Sequence, residues 1–196
     1  WGSYYQSMLL PAQQGPVDVR YGSQPVFLAN LLVRVSDAGI NDAQTAEDVL
    51  LHIDQIVPFI ELADLQVQKP SGLTAHHLTA INAAARLGVM GQPFAVEADA
   101  KNRKRLLREL EGMSVRVMDG KGRLLGRGKG SDVMGHPLRS VVWLAAALRK
   151  EGLSLQPGQW ISLGALSPMF RPRTGEKVTV AYAGLTGVRP VGVRFQ

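Results

Sequence analysis

The chain has no cysteine among its 196 residues. That absence excludes disulfides, thiolate-held iron–sulfur clusters and thiol nucleophiles. It fits a reducing cytoplasm, the default, as well as an exported protein without thiols, so the compartment is not readable. Also missing is any apolar run of about 18 residues or more, so no membrane-spanning helix is expected. The sequence has no Gly-x-Ser-x-Gly elbow, no phosphate loop ending in Gly-Lys-Ser/Thr and no His-Glu-x-x-His, which removes three common catalytic frameworks. Glycines at 120, 122, 126, 128 and 130 alternate with Lys, Arg and Leu. They follow a hairpin and do not open a helix, which excludes a dinucleotide-binding reading.

Aromatic residues make up only 6% of the chain, and none interleaves with its densest basic cluster, Lys101, Arg103, Lys104, Arg105 and Arg108. A surface that stacks nucleic-acid bases needs such aromatics. Leu106, Leu107 and Leu110 give the same stretch an apolar stripe, and Glu109 and Glu111 dilute its charge, so it reads as a solvated amphipathic helix. No nucleic-acid partner is expected. Lys121, Arg123, Arg127 and Lys129 follow, and a basic rim that attracts an anionic substrate is the next reading of the net charge of +6.

With 45% hydrophobic residues the chain can bury a real core. Its length suits one domain, 1–196, with residues 1–22 as an irregular opening segment holding at most one short strand. The chain opens at Trp1, not a methionine, so a missing N-terminal region is expected. Phe27–Val35 reads as a mostly apolar strand of the kind buried on both faces, and Ile53–Leu62 as a second apolar strand. Thr45 and Asp48 form a capping box for a short helix through His52. Leu73–Leu87 reads as an alanine-rich helix capped by Thr74 and ended by Gly88. A short strand near Phe94 and the basic helix 100–110 follow. The second half is richer in strand: a hairpin of Ser114–Asp119 and Arg123–Lys129, a helix over Leu138–Lys150 entered through Pro137, and strands at Trp160–Leu163, Lys177–Ala183 and Val191–Phe195.

Several fragments then occur in a fixed order: Gly135-His136-Pro137-Leu138, Val142-Trp143-Leu144-Ala145, Leu155-x-Pro157-Gly158, Leu163-Gly164-Ala165-Leu166-x-Pro168, Gly184-Leu185 and Val193-Arg194-Phe195. In order and spacing they resemble the bacterial 2-keto-4-pentenoate hydratase branch of the fumarylacetoacetate hydrolase superfamily. Ile60-Glu61-Leu62 and Gln24-Pro25 carry the resemblance through nearly the whole chain. It implies an α/β, β-rich fold around a mixed, partly rolled sheet with flanking helices, a homo-oligomer, and hydration or decarboxylation of a small anionic 2-oxo acid with Mg²⁺ or Mn²⁺. Such a hard ion wants oxygen ligands and acts as a Lewis acid on the keto group.

The resemblance also implies three acidic ligands, a Glu-x-Glu pair on one strand and a third Glu on the next. The third falls on Glu61; the pair falls on Leu28 and Asn30. Leu28 has no lone pair, and the Asn30 oxygen is neutral. Asp37 and Asp42 read as turn residues and not as replacements. Glu61 read alone could be a buried acid satisfied by backbone donors, but the resemblance favours a place for it in the cavity. Where the family carries Asp-Asn-Ala-Ser, this chain has Ile81-Asn82-Ala83-Ala84, so Asn82 is either a ligand contact or a helix residue bonded to nearby backbone. His136 is a candidate general base, but its place before Pro137 suits capping or packing. His76 and His77 are adjacent on a helix and point apart. Two functions follow: a hydratase-like protein that acts on or binds a small 2-oxo acid, or a non-catalytic relative kept as a ligand- or partner-binding module.

Overall fold

Two long strands pair over most of their length and set the architecture. In the computed structural model, which describes residues 1–13, 15–67 and 72–196, the elements run as follows. The short strand β1 (Leu9–Pro11) is followed by β2 (Pro25–Val35), helix α1 (Ala46–Leu51), β3 (Ile53–Asp64), α2 (Ala75–Ala80), β4 (Ala85–Met90) and β5 (Phe94–Ala95). Then come α3 (Ala100–Gly112), the hairpin β6 (Ser114–Asp119) and β7 (Leu124–Lys129), α4 (Arg139–Lys150), β8 (Trp160–Ser162), β9 (Lys177–Ala183) and β10 (Val191–Arg194). One sheet has the order β1-β4-β3-β2-β8, with β5 also on β3; the other has the order β10-β9-β6-β7. In the first sheet β1 runs parallel to β4 while the other described pairings are antiparallel, so the sheet is mixed.

The β2–β3 ladder divides its side chains by parity, since successive residues of a strand face opposite ways. Phe27, Ala29, Leu31, Val33 and Val35 join Ile56, Ile60 and Leu62 in the main core. That core is completed by Val115, Val117, Val178, Val180 and Tyr182 of the second sheet, and by Leu106, Leu110, Val141, Ala145 and Leu148 from α3 and α4. The other parity carries Val26, Leu28, Asn30 and Leu32, also buried. Both strands are thus covered on two faces over most of their length, as a mostly apolar run predicts.

Local signals account for several boundaries. The Thr45 hydroxyl accepts from the Asp48 N–H at 3.1 Å, and the Asp48 carboxylate accepts from the Thr45 N–H at 2.9 Å, closing the capping box at α1. At the β6–β7 turn the Asp119 carboxylate accepts from the backbone N–H groups of Lys121 and Arg123, both at 2.9 Å.

The expected helix over Leu73–Leu87 is a correction. Helix α2 has six residues, and then Asn82, Ala83 and Ala84 all take left-handed backbone conformations, with φ of 56°, 52° and 64°, before the chain enters β4. Alanine favours helix locally, but β4 is held by β3 on one side and β1 on the other, and tertiary pairing overrides propensity. Gly88 is therefore not a helix cap. It lies mid-strand opposite Glu61, with the Phe59 ring so close that an added Cβ would sit 1.9 Å from Cζ. Gly88→Ala is expected to lower unfolding stability by about 1–3 kcal/mol through overpacking, measurable as a shift in the urea midpoint.

Candidate functional site

Pairing of β2 with β3 sets Leu28 directly across from Glu61 and Asn30 across from Phe59. On the other side of β3, Glu61 faces Gly88; on the other side of β2, Leu32 faces Ser162. The three positions singled out in the sequence, Leu28, Asn30 and Glu61, are therefore on one face and adjacent.

Asn30 is fully buried, and both N–H donors and the oxygen of its amide are engaged. Its Nδ2 donates to Glu61 Oε2 at 2.8 Å and to Ser162 Oγ at 2.8 Å, and its Oδ1 accepts from the Leu31 N–H at 2.7 Å. The network fixes which end is which. Turning the amide over would set Oδ1 against a carboxylate oxygen and Nδ2 against an N–H donor, two repulsive contacts for two attractive ones. Behind the strand, the Tyr182 hydroxyl donates to the Asn30 carbonyl at 2.6 Å, tying the second sheet to this point of β2.

Glu61 is largely enclosed. Burial pushes its carboxyl pKa up, and the hydrogen bond from Asn30 and the nearby Tyr4 phenol only partly oppose that. Tyr4 stacks edge-on against Phe59 with ring centroids 5.9 Å apart, and its hydroxyl is buried with no hydrogen-bond partner of normal geometry among the described residues. Burial, with the Glu61 charge added to it, pushes the Tyr4 phenol up as well. The arginines nearby on these strands are engaged elsewhere. Arg34 forms a fork with Asp54 at 2.8 and 2.7 Å, and Arg86 donates to the Tyr21 carbonyl at 2.8 Å. Leu28 packs in a separate apolar cluster with Val26, Ala63, Leu65 and Ala84.

This donor set does not suit Mg²⁺ or Mn²⁺. It offers one carboxylate, an amide that already donates one N–H to that carboxylate and the other to Ser162, and a leucine, whereas a hard divalent ion needs several oxygen ligands and compensating negative charge. Among the described residues no group of three or more His, Cys, Asp or Glu side chains is placed to hold a metal. Asp37 caps the 3₁₀ turn Ala38–Asp42 by accepting from the Gly39 N–H at 2.9 Å and pairs with His52, and Asp42 lies 3.7 Å from Arg149. Both remain turn residues.

The other candidates also have structural partners. The Asn82 amide grips the backbone of Ser3 on both sides, accepting from its N–H at 2.7 Å and donating to its carbonyl at 2.8 Å. It lies outside helix α2, and its amide is bonded to backbone distant in sequence. The buried His136 places Nε2 3.0 Å from the Leu107 carbonyl and Nδ1 3.1 Å from the Leu138 N–H. A single neutral tautomer satisfies both contacts, and burial lowers its pKa, so His136 joins α3 to the entrance of α4. His77 closes the cap of α2 with Thr74, while His76 is exposed. In the basic helix Leu106 and Leu110 are buried and Arg105 lies 3.8 Å from Glu109.

Sequence reasoning missed Tyr4, Ser162 and Tyr182. Each reaches the site from a strand or segment far along the chain, so no local spacing could have marked it. Glu61 makes a testable contribution to stability. Its folded pKa lies above the ordinary 4.5, so the folded state holds the proton more tightly, and stability falls as pH rises from about 4.5 through the folded value. Glu61→Gln should remove that decline. In urea titrations, stability of the variant relative to the parent should increase steadily from acid to neutral pH.

No family model matches the chain. It is 28% identical to a 4-oxalocrotonate decarboxylase of Pseudomonas putida over 141 residues, 72% of this chain and 50% of that protein. It is 30% identical to the TodF product hydratase of Pseudomonas putida F1 over 147 residues, 75% of this chain and 51% of that one. The chain thus spans about half the length of these curated relatives. The structure of 4-oxalocrotonate decarboxylase from Pseudomonas putida G7, complexed with magnesium and adipate, superposes with a TM-score of 0.81 at 24% identity, over 100% of this chain and 69% of that one.

Proposed function

Because the chain belongs to the fumarylacetoacetate hydrolase superfamily, in the branch of the 2-keto-4-pentenoate hydratases, we propose that it is a non-catalytic member of that branch. In this reading the face that would hold a divalent ion has become a closed structural element, and the protein serves as a ligand- or partner-binding module. One observation carries it: the Asn30 amide donates to Glu61 at the place where the family pattern asks for a second carboxylate. An amide donor gives a buried carboxylate a hydrogen bond without needing a cation. Leu28, across from Glu61, extends the same replacement with an apolar side chain.

Electrostatics supports the reading from the ligand side. A 2-oxo acid brought to this face meets the Glu61 carboxyl with no cation beside it among the described residues, so the two acids must either repel or take up a proton between them. No step of hydration or decarboxylation is assigned to these residues.

The competing reading is a hydro-lyase that acts on a small anionic 2-oxo acid with Mg²⁺ or Mn²⁺. It rests on the relatives, of which one solved example holds magnesium and adipate. Calorimetry separates the two. The parent protein is expected to take up no Mn²⁺ or Mg²⁺ at millimolar concentration and to leave 2-hydroxypenta-2,4-dienoate unchanged; uptake together with turnover would establish the lyase instead. Leu28→Glu/Asn30→Glu gathers three carboxylates, which repel one another until a cation binds. Its thermal unfolding should therefore become Mn²⁺-dependent, with a gain of about 2.7 kcal/mol at a hundredfold excess over Kd.

A further inference from the structure

A cavity of about 500 Å³ lies between the β6–β7 hairpin and the loop at Met169–Glu176, away from the Glu61 face. Its floor is aromatic. Phe170 packs against Phe27 at a centroid separation of 5.4 Å, and Phe27 in turn lies 5.3 Å from Phe195, so Phe170 is the outer ring of the three. Backbone hydrogen bonds between Phe27 and Phe170 in both directions, 2.8 and 2.9 Å, hold that floor in place. Phe27 is buried on the core side of β2, while its neighbour Leu28 faces the other way, so the two sites are on opposite sides of one strand. Phe170 is only half-buried, and Met169 beside it is 56% exposed. A rigid ring with an exposed face and a polarisable thioether at its edge suits a flat apolar guest.

The rim is cationic. Arg123, Arg171 and Arg173 line it against a single acid, Glu176. Arg123 pairs with Asp119 at 3.0 Å. Arg171 donates only to the neutral Gln24 Oε1, at 3.0 Å, and Arg173 has no ion-pair partner among the described residues. Two guanidiniums without an acidic partner face one carboxylate, so the rim keeps one positive charge in excess. The volume falls within the usual range for a small-molecule pocket, and a guanidinium fork matches a carboxylate in shape as well as charge. We propose that this cavity binds a flat, apolar carboxylate, its ring against Phe170 and its carboxylate between Arg171 and Arg173. The basic residue Arg123, one of those that gives the second half of the sequence its positive charge, thereby forms part of a binding rim.

Fluorescence titration with 2-naphthoate on the whole protein tests this, with 2-naphthamide and inorganic phosphate as controls that remove the charge and the apolar body in turn. Naphthoate should bind at least about tenfold more tightly than either control, and the affinity should weaken as salt is raised. Arg171→Ala/Arg173→Ala should reduce naphthoate binding about tenfold without moving the thermal midpoint by more than a few degrees, since both side chains are exposed. Arg20→Ala, another exposed arginine, should leave binding unchanged. The proposal is overturned if naphthoate and naphthamide bind alike, if phosphate matches naphthoate, or if the Arg171/Arg173 variant binds as the parent does.

Discussion

The pairing of β2 with β3 is the constraint on which the rest of this molecule depends. Its register sends one parity of each strand into the main core and the other into a face shared by Leu28, Asn30, Phe59 and Glu61. A slip of one residue would exchange the two sets. The register is therefore enforced by burial of Phe27, Leu31, Val33, Ile56 and Ile60, all without exposed surface. Glu61 stays in an enclosed position because the hydrophobic side chains on the opposite faces of the same strands hold it there.

An enclosed carboxylate must be compensated, and the manner of compensation decides what chemistry remains available. A cation supplies charge, and open coordination positions can then polarise a ligand. An amide supplies hydrogen bonds but no charge, leaving the carboxyl with a raised proton affinity. Asn30 takes the second course, with Ser162 and the Leu31 N–H completing its hydrogen bonds and Tyr182 fixing the strand behind it. The substitution thus extends beyond one side chain into a network whose members come from β2, β3, β8 and β9. Removing any one of them takes a partner from a buried polar group, which makes the members mutually dependent and the arrangement sensitive to single changes.

Much of the fold was legible in the sequence. The two apolar strands, the Thr45–Asp48 capping box, the Asp119-Gly120 hairpin and the helix after Pro137 each rest on local chemistry that the structure retains. The stretch from Leu73 to Leu87 was misread because its alanines satisfy a helix as well as anything local can. Only the partners β1 and β3, and the Asn82 grip on Ser3, turn its second half into a strand. The candidate site divides similarly. The face shared by residues 28 and 30 follows from strand alternation, and the place of Glu61 followed from the family resemblance. The direction of the Asn30 amide, the Tyr4 ring over Phe59 and the capped, neutral His136 depend on atoms distant in sequence.

The sequence by itself determined which residue types stand on the shared face, and so how much charge could gather there, since identity and alternation are local properties of a strand. Whether those residues meet was decided by the tertiary structure. A hydrogen bond such as that from Asn30 to Glu61 requires a register, a rotamer and a neighbour to satisfy the other end, and these are set only when the core closes around them. The same holds for the arginine-rimmed cavity, whose residues are drawn from chain positions 27, 123, 125 and the stretch between 169 and 176 and become a surface only when the two sheets pack.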